Sequence, residues 1–149
     1  MQVASDNRPE DFLRLEHLLY GWNYQVWVNV YGPLDANQSL VDALRASVSG
    51  NSEVDRTTPL SVEDAKELVI ESLTYPGDEG AGPIDLELKR AEVLHLAGKL
   101  LEAAHIEQAD QVSTFWLKKG HPGYPVFWEF ALDVHAQGQR WILLGCSSD

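Results

Sequence analysis

With one cysteine, Cys146, the chain has neither an internal disulfide framework nor a CxxC metal or redox motif, a pattern that suits a reducing compartment. Cys146-Ser147-Ser148-Asp149 also lacks the aliphatic pair of a prenylation signal. Bases are scarce, with 11 Lys and Arg against 23 Asp and Glu and a net charge of −12. Phosphate backbones repel such a surface, and no Lys/Arg stripe interrupts it, so nucleic acid is not an expected partner. Residues 1–10 hold no apolar core of a signal peptide, and no apolar run approaches the roughly 18 residues of a membrane span. A cytoplasmic location without membrane attachment is therefore expected. GxSxG, P-loop, GxGxxG and HExxH patterns are all missing, so no catalytic residue, metal or cofactor is expected.

What is present is unevenly placed. Met1 to Ser49 carries three bases and six acids, Gly50 to Asp110 five bases and fourteen acids, and Gln111 to Asp149 three of each. That last, neutral stretch holds seven of the fourteen aromatic side chains. An acidic helical body thus precedes an aromatic β region, and a chain of this length forms a single domain over 1–149 that buries roughly 68–70% of its unfolded surface.

Hydrophobic spacing predicts a helix from Pro9 to Tyr20, with Phe12, Leu15 and Leu19 inward and residues 1–8 a flexible N-terminus. Trp22 to Tyr31 alternates as a strand, and Gly32-Pro33 is expected to end it. A short helix over Ala36 to Val48 leads to a polar loop from Gly50 to Thr58. Ser61 before Val62-Glu63-Asp64 marks the next helix start, with Ala65, Leu68, Val69 and Leu73 inward. Residues 75–83 hold three glycines and two prolines and read as a mobile connection. The longest helix, Pro83 to His105, should bury Ile84, Leu88, Ala91, Leu94, Ala97, Leu101 and Ala104, widened by Val93, Leu96 and Leu100, and Gly98 suggests close approach of another element.

The C-terminal region is a three-stranded meander. Gln111 to Lys119 and Val126 to His135 flank a turn at Gly120 to Gly123, and a two-residue turn at Gln137-Gly138 starts the third strand. That turn pairs Ala136 with Gln139, Val134 with Trp141, Leu132 with Leu143 and Phe130 with Gly145, apolar against apolar. A slip of one residue would place Trp141 against Asp133 or His135. The expected fold is α+β: an antiparallel sheet of about four strands, three from the meander and one N-terminal, with helices mainly on one face.

The period of two puts Glu129, Asp133 and His135 on the second face of that hairpin, with His135 opposite Arg140. These four are candidate binding residues, either a carboxylate–imidazole–guanidinium site or a polar pair near a turn. Trp27 and Tyr31, beside Gln25 and Asn29, are the aromatics expected at the surface and complete the candidate set. The favoured function is a non-enzymatic acidic interaction module, an adaptor or immunity-type inhibitor, binding a basic or mixed protein partner, with self-association possible. The alternative is a small-ligand-binding domain or enzyme with a pocket between the sheet and the long helix.

Overall fold

The computed structural model describes residues 7–149. Its elements are α1 (Glu10–Leu19), β1 (Gly21–Trp22), β2 (Gln25–Asp35), α2 (Leu40–Ser47), β3 (Glu53–Leu60), α3 (Val62–Leu73), β4 (Gly82–Pro83), α4 (Leu86–Ala103), a 3-10 turn (Ile106–Gln108), β5 (Gln111–Lys119), β6 (Trp128–Ala136) and β7 (Gln139–Ser148). The main sheet is antiparallel with the order β2-β7-β6-β5-β3, and β1 and β4 form a separate two-stranded ribbon. The α+β class holds, but the main sheet has five strands rather than about four. The addition is β3, which falls largely where the sequence reads as loop. It lies at the sheet edge with its central side chains exposed, so it carries no apolar alternation to reveal it.

The β6–β7 register pairs Val134 with Trp141, Leu132 with Leu143 and Phe130 with Gly145, as the apolar pattern requires. A Cβ on Gly145 would stand 2.3 Å from the Phe130 ring, so this glycine makes the room its cross-strand partner fills. β2 joins the meander beside β7 and, contrary to expectation, continues past Gly32-Pro33 to Asp35. An edge strand tolerates proline, and the register shift between Tyr31 and Leu34 absorbs the irregularity as a bulge. The outer rim of β2 is closed by α1 and the residues before it. Glu16 accepts the Val28 N–H at 2.9 Å, and Arg8 donates to the Val28 carbonyl at 2.8 Å while ion-paired to Glu16. The expected flexible N-terminus lies outside the described residues for 1–6, whereas Arg8 is held by these contacts.

Two apolar clusters lie on opposite faces of the sheet. On one, α1, α3 and α4 pack through Leu15, Leu19, Val69, Leu73, Val93, Ala97 and Leu100 against Phe130, Leu132, Val134, Trp141 and Leu143. On the other, α2 places Ala43 and Leu44 over Phe115, Leu117, Ala131, Ile142 and Leu144. Both Ser-capped helices start where a hydroxyl accepts a backbone N–H, Ser61 from Asp64 at 3.0 Å and Ser39 from Asp42 at 3.1 Å. No helix among the described residues is long and apolar enough to cross a membrane.

The long helix is rotated from its expected orientation. Leu86, Val93, Leu96, Ala97, Leu100 and Leu101 are buried, while Leu88, Ala91 and Leu94 face solvent. It also begins later than expected, because Gly82-Pro83 pair with Gly21-Trp22 instead of entering the helix. Gly98 is exposed, and a Cβ there would meet nothing within 4 Å, so no element approaches it. Gly98→Ala is therefore expected to stabilise the fold by about 1 kcal/mol through helix propensity alone. In a chain of this size that raises the melting temperature by about 2–4 °C; a lower value would reveal a hidden contact.

Candidate functional site

Asp133, His135 and Arg140 come together as their spacing on the hairpin requires. Arg140 Nε donates to Asp133 Oδ1 at 2.9 Å, and its NH1 group donates to the Gln38 carbonyl at 2.9 Å, tying the hairpin to the segment that leads into α2. His135 Nε2 sits 3.3 Å from Arg140 Nε and 3.2 Å from the NH2 group. The same Nε2 lies 3.3 Å from Asp133 Oδ1, so the imidazole edge sits between the guanidinium and the carboxylate. With Asp133 8% and Arg140 5% exposed, the pair is buried, and each guanidinium nitrogen lies against a group of this chain.

Glu129 lies at the far end of the same face, in a row with Cys146 and Trp27 across three strands. His121 packs edge-on against Trp27 with ring centroids 5.8 Å apart, and Gly123 closes over the thiol, since a Cβ there would stand 2.5 Å from Cys146 Sγ. Burial, with Glu129 nearby, pushes the Cys146 thiol up to about 12. Burial also lowers the His121 pKa, and the Gly123 N–H donated to Nδ1 at 2.9 Å occupies the lone pair a second proton would take. Thiol and imidazole are both held neutral, the reverse of the thiolate–imidazolium state that nucleophilic catalysis uses. Burial likewise raises the Glu129 pKa. His121 is thus remote from Asp133 and His135, and no group of three or more His, Cys, Asp or Glu among the described residues is placed to hold a metal.

Trp27 and Tyr31 are half-buried against the α2 cluster rather than the most open aromatics. Arg8 covers the Trp27 ring at 5.3 Å. The N-terminal surface aromatics are instead Trp22, 74% exposed, and Tyr20, 58% exposed. The Ile84 N–H bonds to the Tyr20 carbonyl at 3.4 Å, and Trp22 pairs with Gly82, so Tyr20, Trp22 and Ile84 share one patch. Leu88, 86% exposed, follows Ile84 by four residues at the start of α4.

No family model matches the chain, and neither does any curated protein or solved structure.

Beside Trp22 the segment 75–83 is folded back on itself. The Ala81 N–H bonds to the Asp78 carbonyl at 3.0 Å, and Gly80 at φ +79 supplies the left-handed residue of that turn. Asn23 Nδ2 donates to the Gly80 carbonyl at 3.2 Å, tying the turn to β1. The result is a cleft of about 420 Å³ between Trp22, Asn23, Pro76, Asp78 and Pro83. This surface is not legible in the sequence, because Trp22 reads as the opening of a long strand and Leu88 as part of a buried stripe. The available signal was the Gly-Pro pair at 82–83, which breaks the helical pattern before Leu86.

Proposed function

We propose that the chain is a non-enzymatic interaction module that binds a basic or mixed protein partner through the Tyr20, Trp22, Ile84 and Leu88 surface. The observation carrying this reading is the patch made by exposed Tyr20 and Trp22 with Ile84 across the β1–β4 ribbon, with Leu88 exposed at the start of the helix that follows. Exposed apolar groups gathered in one place mark interaction surfaces, and tryptophan and tyrosine anchor binding energy out of proportion to their number. Asp78, Glu79 and Asp85 border the patch and are exposed, which, with the net charge of −12, favours a partner carrying positive charge. The small-ligand alternative has less support. The face of the sheet toward α4 is filled by Leu132, Val134, Trp141 and Leu143, and the Asp133–Arg140 pair is buried and hydrogen-bonded to itself.

Trp22→Ala and Leu88→Glu each separate binding from folding. Because both side chains are exposed, the melting temperature should stay within the effect of about 0.5 kcal/mol usual for surface changes. A partner recovered with the wild-type protein should lose affinity about 30-fold with either variant. Equal affinity for wild type and both variants would dismiss this surface. If the wild-type protein dimerises in sedimentation and the variants do not, the partner is a second copy of the chain.

A further inference from the structure

The cleft beside Trp22 has a chemistry of its own. Two other tryptophans at the surface are each covered by an arginine of this chain, Trp27 by Arg8 at 5.3 Å and Trp116 by Arg56 at 5.8 Å. Trp22, the most exposed of the five, has no such cation over it among the described residues, and neither lysine nor arginine lines the cleft. The nearby bases are engaged elsewhere. Lys89 Nζ donates to the Leu18 carbonyl at 2.5 Å, and Arg90 is paired with Glu87.

A carboxylate faces the same space. Asp78 lines the cleft, and its Oδ1 accepts from the Tyr75 hydroxyl, which fixes the orientation of the group and leaves Oδ2 without a hydrogen bond among the described residues. Glu79 follows at the exposed turn and adds a second negative charge. Asn23, whose Nδ2 is given to the Gly80 carbonyl, and residues 80–82 line it as well, while Pro76 and Pro83 add apolar surface with no amide N–H to donate. The wall thus combines an unstacked indole, an oriented carboxylate and apolar flanks. That set suits a long side chain with an apolar stem and a cationic head.

We propose that this cleft binds one arginine or lysine side chain projecting from a basic segment of the protein partner, with the cation over the Trp22 ring and its N–H groups on Asp78 Oδ2. This deepens the reading that the Trp22 surface docks a protein, and rests on it. Arginine is the better occupant: its planar guanidinium stacks on an indole and still presents edge N–H groups to a carboxylate, and it is less strongly hydrated than an ammonium. The occupant therefore supplies from outside what Arg8 and Arg56 supply to the other two rings.

The test uses the full chain labelled with 15N and titrated with N-acetyl-arginine methylamide, with N-acetyl-leucine methylamide as control. The Trp22 indole N–H signal is assigned by its loss in Trp22→Phe. Saturable shifts of that signal and of the Asp78 to Gly82 amides are expected with the arginine compound, weakened about tenfold in Asp78→Asn and progressively by added salt. Absence of saturable shifts, or equal shifts with the leucine compound, would overturn the cation site. An unchanged response in Asp78→Asn would remove the carboxylate from it. These outcomes are independent of the docking reading, which stands or falls on partner affinity in Trp22→Ala and Leu88→Glu.

Discussion

Arg140→Ala should lower stability by about 3–5 kcal/mol, because it leaves the Asp133 carboxylate buried without its main partner. The guanidinium bridges Asp133 and the Gln38 carbonyl and packs on His135, so one substitution strips donors from both oxygens and loosens the segment entering α2. At about 2–4 °C per kcal/mol for a chain of this size, the melting temperature falls by roughly 10 °C. The denaturant midpoint should fall with little change in slope. Exchanging both members for apolar residues, Asp133→Leu with Arg140→Met, should recover most of that loss, since the cost lies in an unpaired buried charge and not in the missing attraction. An unchanged melting temperature in Arg140→Ala would mean that the network carries no structural weight, and would return Asp133, His135 and Arg140 to the status of a ligand site.

Trp141→Ala should be comparably damaging, at about 3–5 kcal/mol for loss of a buried indole. Trp141 is 5% exposed, stacks on His105 with centroids 4.0 Å apart, and crosses the bulge of β2 at Gly32. His105 is thus a packing residue. A Cβ added at Gly32 would stand 2.4 Å from Trp141 Cδ1, and Gly32 also has φ +151, outside the usual range of other residues. Gly32→Ala therefore carries two penalties, and only the steric one depends on the indole. In a double-mutant cycle, Gly32→Ala should cost about 1–3 kcal/mol less in the Trp141→Ala background. Strict additivity would show that the bulge and the indole do not touch in solution.

Both predictions start from residues whose neighbours were legible in the chain. The β6–β7 register follows from apolar pairing across a two-residue turn, and it places His135 opposite Arg140 before any fold is known. Less legible were elements whose side chains do not alternate between core and water. β3 is polar because it is an edge, and Pro59 and the left-handed Arg56 within it further disguise it as loop. In α4 the apolar residues outnumber what one face can bury, so periodicity alone admits several orientations. Packing against α1, α3 and the sheet selected the arc through Val93, Ala97 and Leu100, and put Leu88 and Leu94 outside. Trp27 and Tyr31 are less open than Trp22 for a similar reason. Their strand face looked half-polar, yet α2 lies across it.

By itself the sequence determined the helices and most strands, the pairing within the C-terminal hairpin, the core face of β6 and the acidic charge of the helical body. Those are local properties, set by side-chain period, turn chemistry and residue type. Only the tertiary structure decided that α2 covers the second face of the sheet, burying the Asp133–Arg140 pair, while Tyr20, Trp22, Ile84 and Leu88 are left to water. The reason is that burial depends on what stacks above a residue, and that neighbour lies far away in the chain.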